Sequence, residues 1–123
     1  MLFDTYAWVE LFNDTPTGRK VEQLMNSSQN CTSMVSLAEL TNWSLKNGFE
    51  PDKIISKLKE HSAILPVEEK IAILAGEFYF EYRKQIRDWG MIDSIIYATS
   101  LVYGLKVVTG DKHFSDLPNA LML

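Results

Sequence analysis

The sequence has little of what exported and membrane proteins need. Its only cysteine, Cys31, excludes an internal disulfide and a thiolate cage for a metal. The uncharged run at residues 94–105 is well short of the roughly 18 residues that a transmembrane helix requires. Residues 1–4 (MLFD) lack the basic region and the long apolar stretch of a secretory signal. These absences predict a cytoplasmic protein that is neither exported nor inserted into a membrane.

The sequence is also poor in residues that interrupt regular structure. Only six glycines and four prolines occur, and there is no internal repeat, low-complexity tract or linker. Hydrophobic residues make up 46% of the chain and charged residues 23%, which is typical of a chain that builds a core. A length of 123 residues is usual for one domain. A single domain covering residues 1–123 is therefore predicted.

Positive charge is scarce as well. The net charge of −4 gives the protein no overall field that attracts a polyanion, so affinity for nucleic acid requires local basic residues or a bound metal. Such a local basic rim would consist of Lys46, Arg83, Lys84 and Arg87, which would contact phosphates without reading sequence. Charges of this kind more often only solvate a helix.

Short apolar segments alternate with longer stretches of helical period. The segments are residues 2–3, 30–32, 63–65, 106–109 and 120–122. Alternation of this kind favours an α/β fold, in which helices flank a mostly parallel central sheet of four to five short strands. The clearest helix is predicted over residues 68–87, with one apolar face made by Ile71, Leu74, Ala75, Phe78 and Tyr82.

Aromatic residues are concentrated in the predicted helices. Trp8, Phe12, Trp43 and the run at residues 78–80 offer more aromatic surface than one side of a small sheet needs. This excess suggests a homodimer interface or a groove for a partner. Packing in the core explains most of these residues equally well.

Four acidic residues follow predicted strands or begin the helices beside them. Asp4 ends the first strand, Glu39 is placed in the first turn of the next helix, Asp93 opens the helix before the strongest strand, and Asp111 follows that strand. Because ligands gather beyond the carboxyl ends of parallel strands, these acids are expected to converge at one edge of the sheet.

Each of these acids also has a purely structural explanation. Asp is a preferred helix cap, and residues 36–39 (SLAE) have the spacing of a capping box. Acids in a first helical turn are further favoured by the helix dipole. Only the set of four is therefore informative about function.

A set of carboxylates suits a hard divalent cation. Mg²⁺ and Mn²⁺ prefer oxygen ligands, and a phosphodiester site leaves positions for water and phosphate. Such a metal neutralises phosphate charge and acidifies water, so no nucleophilic side chain is needed. A cage of Asp4, Glu39, Asp93 and Asp111 would reconcile an acidic protein with an anionic substrate.

These residues stand in four segments that resemble the motifs of the PIN domain family. The segments are residues 4–8 (DTYAW), 36–40 (SLAEL), 90–99 (GMIDSIIYAT) and 107–114 (VVTGDKHF), in the family's order and over nearly the whole chain. The resemblance implies a three-layer fold with a mostly parallel sheet. In length, the chain looks most like the toxin of a VapBC-type toxin–antitoxin pair, which implies a magnesium-dependent endoribonuclease blocked by a small antitoxin.

The resemblance also implies roles for the four acids. Asp4, Asp93 and Asp111 would bind Mg²⁺ or Mn²⁺ directly or through water, and Glu39 would hold and deprotonate a water. Thr5 and Thr109 would position them, although ordinary turn threonines are the commoner explanation. His113 departs from the family, since many relatives have an acid there, and one firm metal site is therefore expected. Neither His113 nor His61 shows zinc-type spacing, so both are interpreted as surface or structural histidines, with His113 the better candidate of the two for a metal or general-base role.

Two alternatives remain at this stage. A receiver-type signalling domain has similar size and an acidic sheet edge, but residues 65–67 (LPV) supply no acceptor Asp after the third strand. A PIN-like RNA-processing or binding subunit that has lost catalysis is harder to exclude, although all four acids are present. No base-reading motif identifies an RNA target.

Overall fold

A computed structural model describes all residues of the chain, 1–123. Five short strands form one sheet: β1 (Leu2–Phe3), β2 (Cys31–Ser33), β3 (Ala63–Leu65), β4 (Val107–Thr109) and β5 (Ala120–Met122). All neighbouring strands are parallel, in the order β3-β2-β1-β4-β5. The predicted sheet is confirmed, and it is parallel throughout.

Six α-helices connect and cover the strands. They are α1 (Thr5–Phe12), α2 (Pro16–Asn26), α3 (Met34–Lys46), α4 (Pro51–His61), α5 (Glu69–Tyr82) and α6 (Met91–Val102), and a short 3₁₀ helix covers Lys112–Phe114. None of the six combines the length and apolar character needed to cross a bilayer.

The three layers follow from alternation along the central strands. In β1, Leu2 belongs to one buried cluster and Phe3 to another, and Val107 and Val108 alternate in the same way in β4. Since successive side chains of a strand point to opposite faces, each strand anchors two cores. Side chains from α1 to α4 cover one face, whereas α5 and α6 cover the other.

The helix predicted over residues 68–87 is shorter in the structure. It ends at Tyr82, and residues 83–88 form turns that close with Asp88 at a φ of 61°. The chain reverses because Trp89 is drawn into the core, where its ring packs 5.6 Å from Tyr82 and its indole N–H donates to Ser94 Oγ at 2.7 Å. Burial of a large aromatic ring thus outweighs helix propensity.

Most of the predicted aromatic excess is absorbed by packing within the chain. Trp8 is fully buried, and its indole N–H donates to Thr32 Oγ1 at 3.0 Å. Phe12 stacks between Trp8 and Trp43. Phe80 remains at the surface, where Lys84 Nζ lies 3.8 Å from the ring centre. The homodimer predicted from these aromatics stays a prediction.

Gly18 is required for the close contact between α1 and α2. A Cβ atom at this position would lie 2.2 Å from the backbone oxygen of Glu10, and backbone cannot move aside cheaply. We expect Gly18→Ala to reduce the free energy of unfolding by about 1–3 kcal/mol, as overpacking typically does.

Gly76 in α5 provides the matched control, because a Cβ there meets nothing within 4 Å. Gly76→Ala is expected to stabilise the protein by about 0.5–1 kcal/mol through helix propensity alone. Urea unfolding of both variants measures the difference. Equal effects of the two substitutions would show that α1 and α2 leave room for a Cβ atom at Gly18.

Candidate active site

The sheet order places a topological switch point between β1 and β4. From β1 the chain progresses outward to β2 and β3 on one side, and then returns to β4 and β5 on the other side of β1. Ligands of open parallel sheets bind in the crevice at the carboxyl ends of the two strands that flank such a point. Asp4 follows β1, and Asp111 follows β4 by one intervening residue.

Asp4 is held between the sheet and the first helix. Its backbone N–H donates to the carbonyl of Val108 at 3.2 Å, which continues the pairing of β1 with β4. Its side chain caps α1 by accepting from the Ala7 N–H at 2.9 Å. The helix-cap explanation of Asp4 is therefore correct. Because only 4% of Asp4 is exposed, the cap alone does not explain why a carboxylate is buried here.

Glu39 lies in α3, one turn later than the sequence suggested. The N-cap of α3 is Ser33 and the helix begins at Met34, which places Glu39 in the second turn. The predicted first-turn position and capping box are wrong, because Ser33 accepts from the Val35 N–H and caps the helix instead. Thr5 Oγ1 donates to Glu39 Oε1 at 2.6 Å, which ties the side chain to the residue after Asp4.

Asp93 stands at the third position of α6. Its Oδ2 accepts from the backbone N–H of Gly90 at 2.9 Å, so it also helps to begin its helix. Burial, the largest influence, raises the pKa of Asp93 above its usual value, and the charges of Asp111 and Glu39 raise it further. The Gly90 N–H and His113 act in the opposite direction.

Asp111 begins the 3₁₀ helix after β4. Its Oδ1 accepts from the His113 N–H at 2.9 Å, and its own N–H donates to Thr109 Oγ1 at 2.9 Å. Gly110 between them is covered by the ring of Tyr6, since a Cβ at Gly110 would lie 2.2 Å from a ring carbon. The close approach of Tyr6 explains why this position has no side chain.

His113 belongs to the same cluster, although the sequence favoured a surface or structural role for it over a metal or general-base role. Its Nδ1 lies 3.3 Å from Asp111 Oδ1 and 3.7 Å from Asp93 Oδ2. The three residues present ligand atoms that all lie within 4.8 Å of one another. The sequence signal that could have identified His113 is its position two residues after Asp111, in a turn that Asp111 caps.

The four acids are close enough for their charges to interact. The pKa of Asp4 is raised from 3.8 to about 7, mainly by burial and in smaller part by the charges of Asp111 and Glu39. Contacts with the Thr109 hydroxyl and the Ala7 N–H lower it in part. None of the four carboxylates forms an ion pair with a lysine or arginine. The cluster thus concentrates negative charge without a lysine or arginine to balance it.

The donor set fits a divalent cation. It consists of carboxylate oxygens and one imidazole nitrogen, and His113 Nδ1 is buried without a hydrogen-bond partner. A cation would neutralise the acids and satisfy this nitrogen. The three surface cavities of the protein are lined by other residues. Asp4 is buried, whereas Asp93 and Asp111 are partly exposed and connect the cluster to solvent.

Residues 1–120 match the family model of the PIN domain. The chain belongs to the PIN domain family. A comparison with curated protein sequences found no match.

Solved structures share this PIN fold over nearly the whole chain. A toxin–antitoxin complex from Klebsiella pneumoniae has a TM-score of 0.79 at 22% identity, covering 98% of this chain and 95% of that one. VapBC2 from Rickettsia felis, bound to a DNA fragment from its promoter, has a TM-score of 0.73 at 21% identity, covering 99% and 96%. VapC20 from Mycobacterium tuberculosis, a sarcin–ricin loop cleaving toxin, has a TM-score of 0.75 at 16% identity, covering 97% and 95%. At these identities the likeness establishes the fold.

Proposed function

We propose that this PIN domain is an endoribonuclease that depends on Mg²⁺ or Mn²⁺ and hydrolyses RNA phosphodiester bonds. The observation that carries the proposal is the cluster of Asp4, Glu39, Asp93 and Asp111, in which negative charge accumulates with no lysine or arginine to balance it. A protein tolerates such a cluster only when a cation compensates it or when some of the acids stay protonated.

Three of the acids would hold the metal. Asp4, Asp93 and Asp111 lie around the switch point, and backbone N–H groups fix one oxygen of each. The bound cation supplies neutralisation of phosphate charge and acidification of water. Fixed carboxylates cost little reorganisation when the substrate arrives, because their positions are set by the helices and strands that carry them.

Glu39 would orient the attacking water and accept its proton. Thr5 donates a hydrogen bond of 2.6 Å to Glu39 Oε1, which fixes the carboxylate and leaves Oε2 available. Glu39 is partly exposed, so water can reach it. Thr109 would act as a positioning residue, since its hydroxyl accepts from the Asp111 N–H and its interaction with Asp4 lowers that residue's pKa.

The relatives suggest a biological setting. The Klebsiella and Rickettsia structures are toxin–antitoxin assemblies, and VapC20 is a toxin that cleaves the sarcin–ricin loop. By analogy, we infer that this chain is the toxin of such a pair, acts in the cytoplasm and is inhibited by a small antitoxin. Exposed apolar residues on the adjacent helices α5 and α6 support a homodimer; they are Ile73, Phe80 and Leu101.

Cleavage of single-stranded RNA with Mg²⁺ or Mn²⁺ tests the nuclease. Asp93→Asn is expected to reduce the rate at least about a hundredfold, because loss of a metal ligand removes several kcal/mol of charge stabilisation. The amide oxygen of the variant can still accept the hydrogen bond from the Gly90 N–H, so the fold should remain.

Asp88→Asn is the matched control. Asp88 is exposed, lies five residues away, and has a positive φ that Asn tolerates. We expect this variant to cleave at the wild-type rate. No cleavage by the wild type with either metal, or equal cleavage by the two variants, would refute the proposed nuclease.

A binding subunit without catalysis is the second candidate, and the same assay separates it from the enzyme. The receiver-type alternative is inconsistent with the topology. Receiver-like sheets have the order 2-1-3-4-5, whereas this sheet has the order 3-2-1-4-5. The segment after β3 also contains Pro66 and Val67 where such a domain needs its acceptor Asp.

A further inference from the structure

We propose that His113 is a metal ligand through Nδ1, and that it gives the site a preference for Mn²⁺ over Mg²⁺. The proposal rests on the cation site of the proposed function. It goes beyond that function by assigning His113 the role of a metal ligand and by assigning the site a preference between two metal ions.

The distances around His113 suit coordination. Nδ1 lies 3.3 Å from Asp111 Oδ1 and 3.7 Å from Asp93 Oδ2. Adjacent ligands of a six-coordinate ion with bonds of about 2.1 Å are about 3 Å apart. The two distances to Nδ1 exceed this spacing by only about 0.3 and 0.7 Å, and ligand atoms of all three residues lie within 4.8 Å of one another, so modest side-chain shifts would let them share one cation.

The state of Nδ1 also indicates a missing partner. This atom is buried, yet it makes no hydrogen bond, because its approach to Asp111 lacks the required alignment. Asp111 Oδ1 instead accepts the backbone N–H of His113 at 2.9 Å. A buried polar atom left without a partner costs about 1–3 kcal/mol. A metal ion between the three donors would remove this cost.

The core holds His113 in this position. The next residue, Phe114, is fully buried, and its ring lies 5.2 Å from that of Trp89. Asp111 caps the short 3₁₀ helix that carries both residues. The imidazole is therefore presented to the acids by a rigid turn, as a ligand needs to be.

The chemistry of imidazole leads to the metal preference. Mg²⁺ is a hard ion that binds oxygen and keeps several of its waters. Transition-metal ions accept imidazole more readily, and affinity of a mixed nitrogen and oxygen site rises from Mn²⁺ onward along the first row. A site with one nitrogen among carboxylates thus favours Mn²⁺ relative to Mg²⁺.

Binding of Mn²⁺ to the full chain is the first test, measured from the electron paramagnetic resonance signal of free Mn²⁺ with Mg²⁺ as competitor. His113→Ala should weaken Mn²⁺ binding about 10- to 100-fold, as loss of a group that serves a metal site does. His113→Asp should restore metal binding but shift the preference toward Mg²⁺. The control His61→Ala, at an exposed histidine at the end of α4, should bind as the wild type does.

Pulsed electron paramagnetic resonance of the Mn²⁺-loaded protein reads the ligand directly. A nitrogen coupling from imidazole is expected in the wild type and in His61→Ala, but not in His113→Ala, and circular dichroism verifies that each variant folds. Mn²⁺ binding that needs Asp93 and Asp111 but shows no nitrogen coupling would overturn the role of His113 and leave the proposed nuclease standing. Absence of any Mn²⁺ binding would overturn both.

Discussion

Asp4→Asn is expected to abolish metal-dependent RNA cleavage, with a rate at least about a hundredfold below that of the wild type. Asp4 is the most buried of the four acids, and it stands at the carboxyl end of a central strand beside the switch point. An amide of the same shape keeps the cap on α1, because its oxygen can still accept from the Ala7 N–H. The substitution does remove the negative charge with which Asp4 would bind a divalent cation.

The control for this prediction is Asp14→Asn. Asp14 is exposed at the turn after α1, has a φ of 52°, and pairs with Arg19 only at 3.8 Å. This substitution should leave cleavage and stability within error of the wild type. RNA cleavage under single-turnover conditions, with circular dichroism to verify folding, provides the measurement. A folded Asp4→Asn variant with full activity would exclude Asp4 from the metal site.

The strands were predictable because their signals are local. Each short apolar segment is flanked by polar or chain-reversing residues, and the predicted segment at 106–109 overlaps β4, which begins at Val107. The position of Asp4 was predictable for the same reason, because it follows directly from the end of β1. Both inferences depend only on alternation and on the rule that ligands gather at strand ends.

What the sequence could not show depends on contacts between distant residues. The end of α5 at Tyr82 is set by the burial of Trp89, which packs against Tyr82, and no helical period reveals this contact. The capping-box spacing of residues 36–39 predicts Glu39 one turn too early, because Ser33 caps the helix and Ser36 is buried within its first turn. The contact of His113 with Asp93 could not be predicted because the two residues are twenty positions apart in the chain, and only the nearby Asp111 offered a local signal.

The buried carboxyl of Asp4 should also make the stability of the metal-free protein depend on pH. Its pKa is raised from 3.8 to about 7 in the folded state, mainly by burial. The folded state therefore keeps a proton that the unfolded chain has already lost. The resulting stabilisation is fully present below a pH of about 3.8 and is lost as the pH rises to about 7. Asp93, whose pKa is also raised, acts in the same direction.

Asp4→Asn removes this titration, so the variant should gain stability relative to the wild type as the pH rises. A shift of about three pKa units corresponds to at most about 4 kcal/mol, and this difference should develop between pH 4 and pH 8, values set by the shift from 3.8 to about 7. Urea unfolding of both proteins across this pH range, with a chelator present to remove metal ions, measures the difference in their free energies of unfolding. Mn²⁺ or Mg²⁺ should reverse the order at pH 8 by stabilising the wild type alone. A stability difference that stays constant with pH would show that burial imposes no such penalty on Asp4.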